Sequence, residues 1–274
     1  MVLNENIMKE IHDLDELKSI ELRLMKVIHD VCTHNNIWYE LAYGTLIGAV
    51  RHNGFIPWDD DIDIFMYRKD LNKFLEAIER HKESDHIMIA SPKNGDIYFP
   101  RDIIKVCDSR TKLFEKTYKH EPIGVFVDIW PIDNSSDPLD SKWVKEVVIL
   151  RNLALSCDIS KRSDEYGRMG FAKKMAVNVS SFFNRDEVLN KQIHEAQKYH
   201  NNSESTYVIA FQAHNNIYRR EWISDIELHK FENAEFYIPK HFDELLTSIY
   251  GDYMQLPPAN EQNPHHIQDV WWIE

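Results

Sequence analysis

Cysteine is scarce: Cys32, Cys107 and Cys157 are the only three in 274 residues, far apart and without a CxxC pair. This excludes a disulfide framework and a thiolate zinc site, and it fits a reducing compartment. Glycine (8) and proline (10) are also few, which removes collagen-like, low-complexity and mainly disordered chains. No run of about 18 apolar residues occurs, so no membrane-spanning helix is expected. The opening MVLNENIMKEIHDLDEL places acids where a signal peptide needs a basic and then an apolar region. Positive charge is in deficit, with Lys+Arg 32 against Asp+Glu 45 and a formal net charge of -13. Any polyanion would meet an unfavourable field, and no nucleic-acid partner is expected. The 14 histidines show no HExxH or finger spacing, so a zinc site is not expected either. The expected location is the cytoplasm, with any contact at the inner membrane face peripheral.

What the chain does have is a globular composition, 43% hydrophobic and 28% charged. Apolar residues from Ile7 to Val31 step by three or four and predict one long helix. Residues 37–43 predict a strand running into a short helix at 46–52, which Asn53-Gly54 breaks. The alternation at 61–65 predicts a strand, and Leu71, Phe74, Leu75 and Ile78 a helix. Further strands are expected at 87–90, 103–107 and 125–130. From 139 to about 200 the periodicity is helical, interrupted at 161–170, and a hairpin (227–238) and a last helix ending at Gly251 follow. The fold class is α/β (α+β): a mixed sheet flanked by helices, with a helical subdomain. The expected division is a catalytic core at 1–138, a helical subdomain at 139–220 and a C-terminal unit at 221–274 that packs back on the core.

The densest chemical signal is Pro57-Trp58-Asp59-Asp60-Asp61-Ile62-Asp63. On a strand, Asp59, Asp61 and Asp63 would project from one face and repel one another. A divalent cation is the natural compensation, and oxygen-only ligands favour Mg²⁺, Mn²⁺ or Ca²⁺. A solvated acidic turn is the plainer alternative, opposed by the apolar flanks. An EF-hand loop is excluded because Ile64 stands where the turn needs glycine. A DDxxD motif belongs on a helix, whereas glycosyltransferase DxD and phosphatase DxDx[TV] readings stay open on the acids alone. Gly44-Thr45, where a strand enters a helix, offers backbone N–H groups and a hydroxyl to a phosphate. Together with the acids this describes a nucleotidyltransferase site, whose third carboxylate would be Asp128 or, failing that, Asp133.

Residues 43–63, YGTLIGAVRHNGFIPWDDDID, resemble the signature of the LicD family, and YGDYMQLPP at 250–258 resembles its C-terminal block. The resemblance implies a nucleotidyltransferase-like fold and a phosphotransferase that moves a substituted phosphate. The typical case is phosphocholine from CDP-choline to a cell-surface sugar, in a lipopolysaccharide or teichoic-acid precursor. It makes Asp59, Asp61 and Asp63 metal-binding acids for Mg²⁺ or Mn²⁺, with Asp128 joining them or serving the acceptor hydroxyl. Gly44, Thr45, Arg51, Lys105 and Trp58 are the expected substrate contacts, although Arg51 and Lys105 could equally be ordinary surface cations. Trp58, Tyr43 and Trp130 lie beside the acids, but no choline pocket is assigned from sequence. Transfer of a nucleotide itself, or a non-catalytic nucleotide- or glycan-binding module, are the alternatives. Residues 168–185 hold four basic residues and no acid. They suit an anionic membrane bearing a lipid-linked acceptor, or else a helix packed on the catalytic domain.

Overall fold

In the computed structural model, which describes residues 8–93, 95–114, 118–211, 216–263 and 269–273, the first helix begins later than periodicity predicts. The Asp13 carboxylate accepts from the Asp15 backbone N–H at 3.0 Å and caps α1 (Leu14–His34). Upstream, Lys9–Glu10 forms a two-residue strand, β1, and the Ile11 N–H donates to the Val270 carbonyl at 2.9 Å. Ile7, the expected helix start, lies outside the described residues.

The elements that follow are β2 (Tyr39–Leu41), α2 (Tyr43–His52), β3 (Asp63–Tyr67), α3 (Leu71–Ile78), β4 (Ile87–Ser91), β5 (Ile97–Tyr98), β6 (Ile104–Asp108), β7 (Thr111–Leu113) and β8 (Phe126–Asn134). Then come α4 (Ser141–Asp158), α5 (Asp164–Arg168), α6 (Phe171–Ser180) and α7 (Arg185–Ala196). The chain continues through β9 (Tyr207–Ala210), β10 (Asn216–Arg219), α8 (Arg220–Ile223), β11 (Ile226–Phe231), β12 (Ala234–Pro239), α9 (Phe242–Tyr250) and β13 (Val270–Trp272). The expected α+β class with a mixed sheet is what the chain forms.

Strand β8 organises the main sheet, whose order is β10-β9-β8-β6-β4-β5. It pairs antiparallel with β6 on one side, parallel with β3 on the other, and through Asp133 and Asn134 with β9. β2 extends the sheet beyond β3. Leu24, Met25 and Ile28 of α1 are fully buried with Ile64, Met66, Val127 and Ile129 in one core. α1 contacts β8 and β6, and those strand residues share one face of the sheet. Residues at alternate positions, Asp63 and Phe65 on β3 and Asp128 and Trp130 on β8, turn to the other face.

The stretch expected to be helical, 139–220, holds α4 to α7, but the hairpin β9–β10 within it joins the main sheet. Trp143 of α4 packs on Phe211, with ring centroids 5.2 Å apart, and ties these helices to that hairpin. The C-terminal hairpin packs back on α2: the Glu232 carboxylate accepts from the Phe55 N–H at 3.0 Å, and its backbone N–H donates to the Asn53 carbonyl at 2.8 Å.

Candidate active site

Three charged side chains stand in one row across three strands. The register sets Asp63 of β3 against Asp128 of β8, and Asp128 against Lys105 of β6, so all three leave the same face. The Lys105 Nζ donates to both Asp128 oxygens, at 2.7 and 2.9 Å, and both side chains are buried. The Trp130 indole N–H donates to Asp63 Oδ1 at 2.7 Å. The Thr45 hydroxyl accepts the Asp63 backbone N–H at 2.8 Å, and the Asp128 N–H donates to the Ile62 carbonyl at 2.9 Å. Each carboxylate of the row is thus oriented by a separate element.

The rest of the acidic motif is not strand. β3 starts at Asp63, and Asp59, Asp60 and Asp61 occupy the loop before it, which corrects the expectation of one strand face for 59, 61 and 63. Pairing with β8 begins at the Asp63–Asp128 pair, so the ladder does not extend to the preceding acids. Instead the loop brings one carboxylate oxygen from each of Asp59, Asp60 and Asp61 within 4.8 Å of one another. Asp59 reaches the first turn of α2, where a Cβ on Gly44 would lie 2.9 Å from its Oδ2. Glycine there admits the carboxylate to the positive end of the helix.

Glu21 of α1 adds a further carboxyl beneath this loop. It is 2% exposed and its Oε2 has no hydrogen-bond partner. Burial, with Asp61, Asp60 and Asp59 nearby, pushes it well above the usual carboxylate range. Burial, then the charges of Asp128 and Asp60, push Asp61 up to about 7. Asp63 is raised by burial and by Asp61 and Asp128, against the pull of the Trp130 hydrogen bond. Such a concentration of acids raised in pKa, with only oxygen donors, fits a hard divalent cation.

The structure brings Gly44, Thr45, Lys105 and the four acids Asp59, Asp61, Asp63 and Asp128 into one neighbourhood. Lys105 serves Asp128 in this arrangement. Trp58 is partly buried against the main core beside the acids. Arg51 lies elsewhere, in the last turn of α2, where its Nη1 donates to the Tyr253 carbonyl at 2.8 Å and joins the C-terminal block to that helix. Asp133 accepts two hydrogen bonds from Arg68, which also makes two to Asp102, and so belongs to a buried structural cluster.

Sequence reasoning passed over Asp60, Glu21 and two arginines. A cavity of about 150 Å³ is lined by Trp130, Tyr118, Arg101, Arg151 and Leu155, among others. The Arg101 guanidinium sits 3.5 Å from the centroid of the Tyr118 ring, and the Arg151 Nη1 donates to the Phe211 carbonyl at 2.9 Å. Glu21 lies among Leu17, Ile20, Leu24 and Met25, and Arg151 between Val147 and Ala154, all of them buried. A charge inside an apolar stripe is the signal that could have found both.

Residues 36–152 match the family model for the LicD/FKTN/FKRP nucleotidyltransferase domain. Along nearly its whole length the chain is similar to the lipopolysaccharide cholinephosphotransferase LicD of Haemophilus influenzae. The two are 27% identical over 264 residues, which cover 94% of this chain and 97% of that protein. An uncharacterized protein of Rickettsia typhi is 44% identical over 71 residues, covering 26% of this chain and 23% of that one. One from Rickettsia prowazekii is 54% identical over 48 residues, 18% of each.

Proposed function

We propose that the chain acts as a phosphotransferase of the LicD family, which its similarity to that family supports, and that it moves phosphocholine from CDP-choline to a sugar hydroxyl of a cell-envelope glycan. Lipopolysaccharide-type and teichoic-acid precursors are the acceptor class. The observation that carries this reading is the pairing of Asp63 with Asp128 in register, beside a loop that gathers three more carboxylates.

In the proposed reaction an acceptor oxygen bonds to the phosphorus of the phosphocholine group. The bond from that phosphorus to the oxygen of CMP breaks, and CMP leaves with the electron pair. Asp128, held by both its oxygens on Lys105, takes the acceptor proton or orients the hydroxyl. Asp63, fixed by Trp130 and Thr45, holds its place opposite. Asp59, Asp61, Asp63 and Asp128 would hold Mg²⁺ or Mn²⁺, which would supply positive charge against that growing on the departing CMP phosphate. Gly44 keeps Asp59 against α2, and Tyr43, 5.6 Å from Trp130 between ring centroids, adds an aromatic face suited to a quaternary ammonium.

The test is product analysis with CDP-choline, Mg²⁺ or Mn²⁺ and a lipopolysaccharide oligosaccharide. The reading requires metal-dependent release of CMP and a gain of one phosphocholine on the acceptor. Release of diphosphate from a nucleoside triphosphate would instead identify nucleotide transfer by the same acids. Binding without turnover under both conditions would leave a non-catalytic module.

A further inference from the structure

Helix α6 is amphipathic the wrong way round for a helix on a protein surface. Val177 and Ser180 are buried, and the Ser180 carbonyl meets the Cys157 thiol of α4 at 3.4 Å. At 100° per residue, the opposite arc holds Phe171, Met175 and Val179, and Phe182 follows just past the helix end. All four are exposed, Phe171 to 82% and Phe182 to 87%, and neighbouring Phe183 is half exposed. Of 13 phenylalanines in the chain, these two are the most exposed among the described residues. An apolar arc that water would have to cover is the mark of a surface with a partner.

The charges around it indicate which partner. Between Tyr166 and Arg185 there is no acid, and Arg168, Lys173, Lys174 and Arg185 flank the arc, in a chain whose net charge is -13. The Lys174 Nζ donates to the Gly167 carbonyl at 2.8 Å, and Arg185 is shared with Asp158 and Asp186. Lys173 and Arg168 border a shallow groove at the start of the helix, together with Glu165 and Phe171. A second copy docking symmetrically would set one basic rim against another, which disfavours self-association. Two phenylalanines as exposed as Phe171 and Phe182 also suit a soft medium better than a preformed protein groove.

We propose that α6 and residues 181–183 form an interfacial anchor that seats the protein on an anionic lipid surface. Phe171, Met175, Val179 and Phe182 enter the headgroup boundary, and the basic residues meet lipid phosphates. No helix of the described residues is long and apolar enough to cross a membrane, so the contact is peripheral. α4, on which α6 rests, also supplies Arg151, Ala154 and Leu155 to the cavity beside Trp130. Trp130, which lines that cavity, is the residue whose indole holds Asp63. The anchor requires nothing of the transfer reading, and substrate plays no part in its test.

The experiment is co-sedimentation of the full chain with vesicles of phosphatidylglycerol and phosphatidylcholine, and with phosphatidylcholine alone, at low and moderate salt. The expected result is binding to the anionic vesicles at least tenfold tighter than to neutral ones, weakened by salt. Phe171→Ser with Phe182→Ser, and separately Lys173→Glu, should each lower that affinity about tenfold or more. Circular dichroism and the melting temperature should stay as in the parent, because these side chains are exposed. Equal binding to both vesicle types, or a phenylalanine double variant that binds as the parent does, would overturn the proposal. So would light scattering that finds a dimer which the same variant dissociates, since the arc would then belong to a second copy.

Discussion

Asp63 and Asp128 face each other on adjacent parallel strands, one oriented by the Trp130 indole and the other by the Lys105 ammonium. Nearly every functional expectation for this chain can be traced to that pair, because it fixes where charge must be neutralised.

Replacing Asp63 or Asp61 with Asn should reduce transfer to under about a tenth of the parent rate in saturating Mg²⁺. A lost carboxylate at the reacting phosphate costs several kcal/mol of barrier. Thermal unfolding without metal should show equal or higher stability, since one of several mutually repelling acids is gone. A variant that retains most of its turnover would remove these residues from the centre.

Trp130→Phe keeps an aromatic ring near Tyr43 but deletes the N–H that holds Asp63. Loss of an orienting partner of this kind costs about 10–100-fold in activity or metal affinity. The change should appear in kcat or in the Mn²⁺ titration, with the melting temperature little moved. An unaltered titration and rate would mean that Asp63 needs no such support.

Two glycines of α2 should answer differently to alanine. At Gly44 the new Cβ meets only the end of the Asp59 side chain, so the fold should tolerate it while metal affinity falls. At Gly48 the Cβ would lie 2.5 Å from the Gly54 carbonyl oxygen, a backbone atom that cannot swing aside. Gly48→Ala should therefore cost about 1–3 kcal/mol in denaturant unfolding. Equal stability losses at both sites would contradict the placement of Asp59.

Lys105→Met leaves Asp128 buried beside Asp61 and Asp63 without its counter-charge. Breaking a buried pair in this way costs about 3–5 kcal/mol. Chemical denaturation should report the loss, and Mg²⁺ should return part of it by supplying positive charge to the same carboxylates.

The metal-free protein should lose stability as pH rises from 6.5 to 8. Asp61, whose ordinary value is 3.8, is raised to about 7 in the folded state. Its contribution is fully present only below about 3.8, falls as the unfolded chain ionises, and the last of it is lost as pH passes through about 7. Asp63 and Glu21 are raised in the same direction. His29 and His52, lowered by burial, oppose the trend only below about 6.5, where an unfolded histidine becomes charged. Melting curves with saturating Mn²⁺ should be flatter across this window, because a cation holds the acids ionised. A rise in stability between pH 6.5 and 8 without metal would contradict the buried acid cluster.

Much of this site was legible because its chemistry is local in sequence. Gly44, Thr45 and the acids 59–63 lie within 20 residues, and the strand-to-helix entry that joins them follows from turn and periodicity signals. Asp128 was legible as an acid in an apolar strand. The rest depends on approach between distant segments: Glu21 comes up from α1, and Arg51 is drawn to Tyr253, 202 positions away. Nothing in local alternation could tell that Asp59 to Asp61 would leave the strand, since the β8 partner that starts the pairing is far along the chain. The apolar arc of α6 was legible as an arc, but its direction became known only when α4 was seen to take the opposite side.

β8, hydrogen-bonded to β3, β6 and β9, makes the centre mechanically uneven. Amide exchange should be slowest at Asp128 and its neighbours, which open only with the whole molecule, and faster in the loop of Asp59, Asp60 and Asp61. Half of the centre is set by strand pairing and half by a loop. Substrates and ions should therefore enter and leave on the side of that loop.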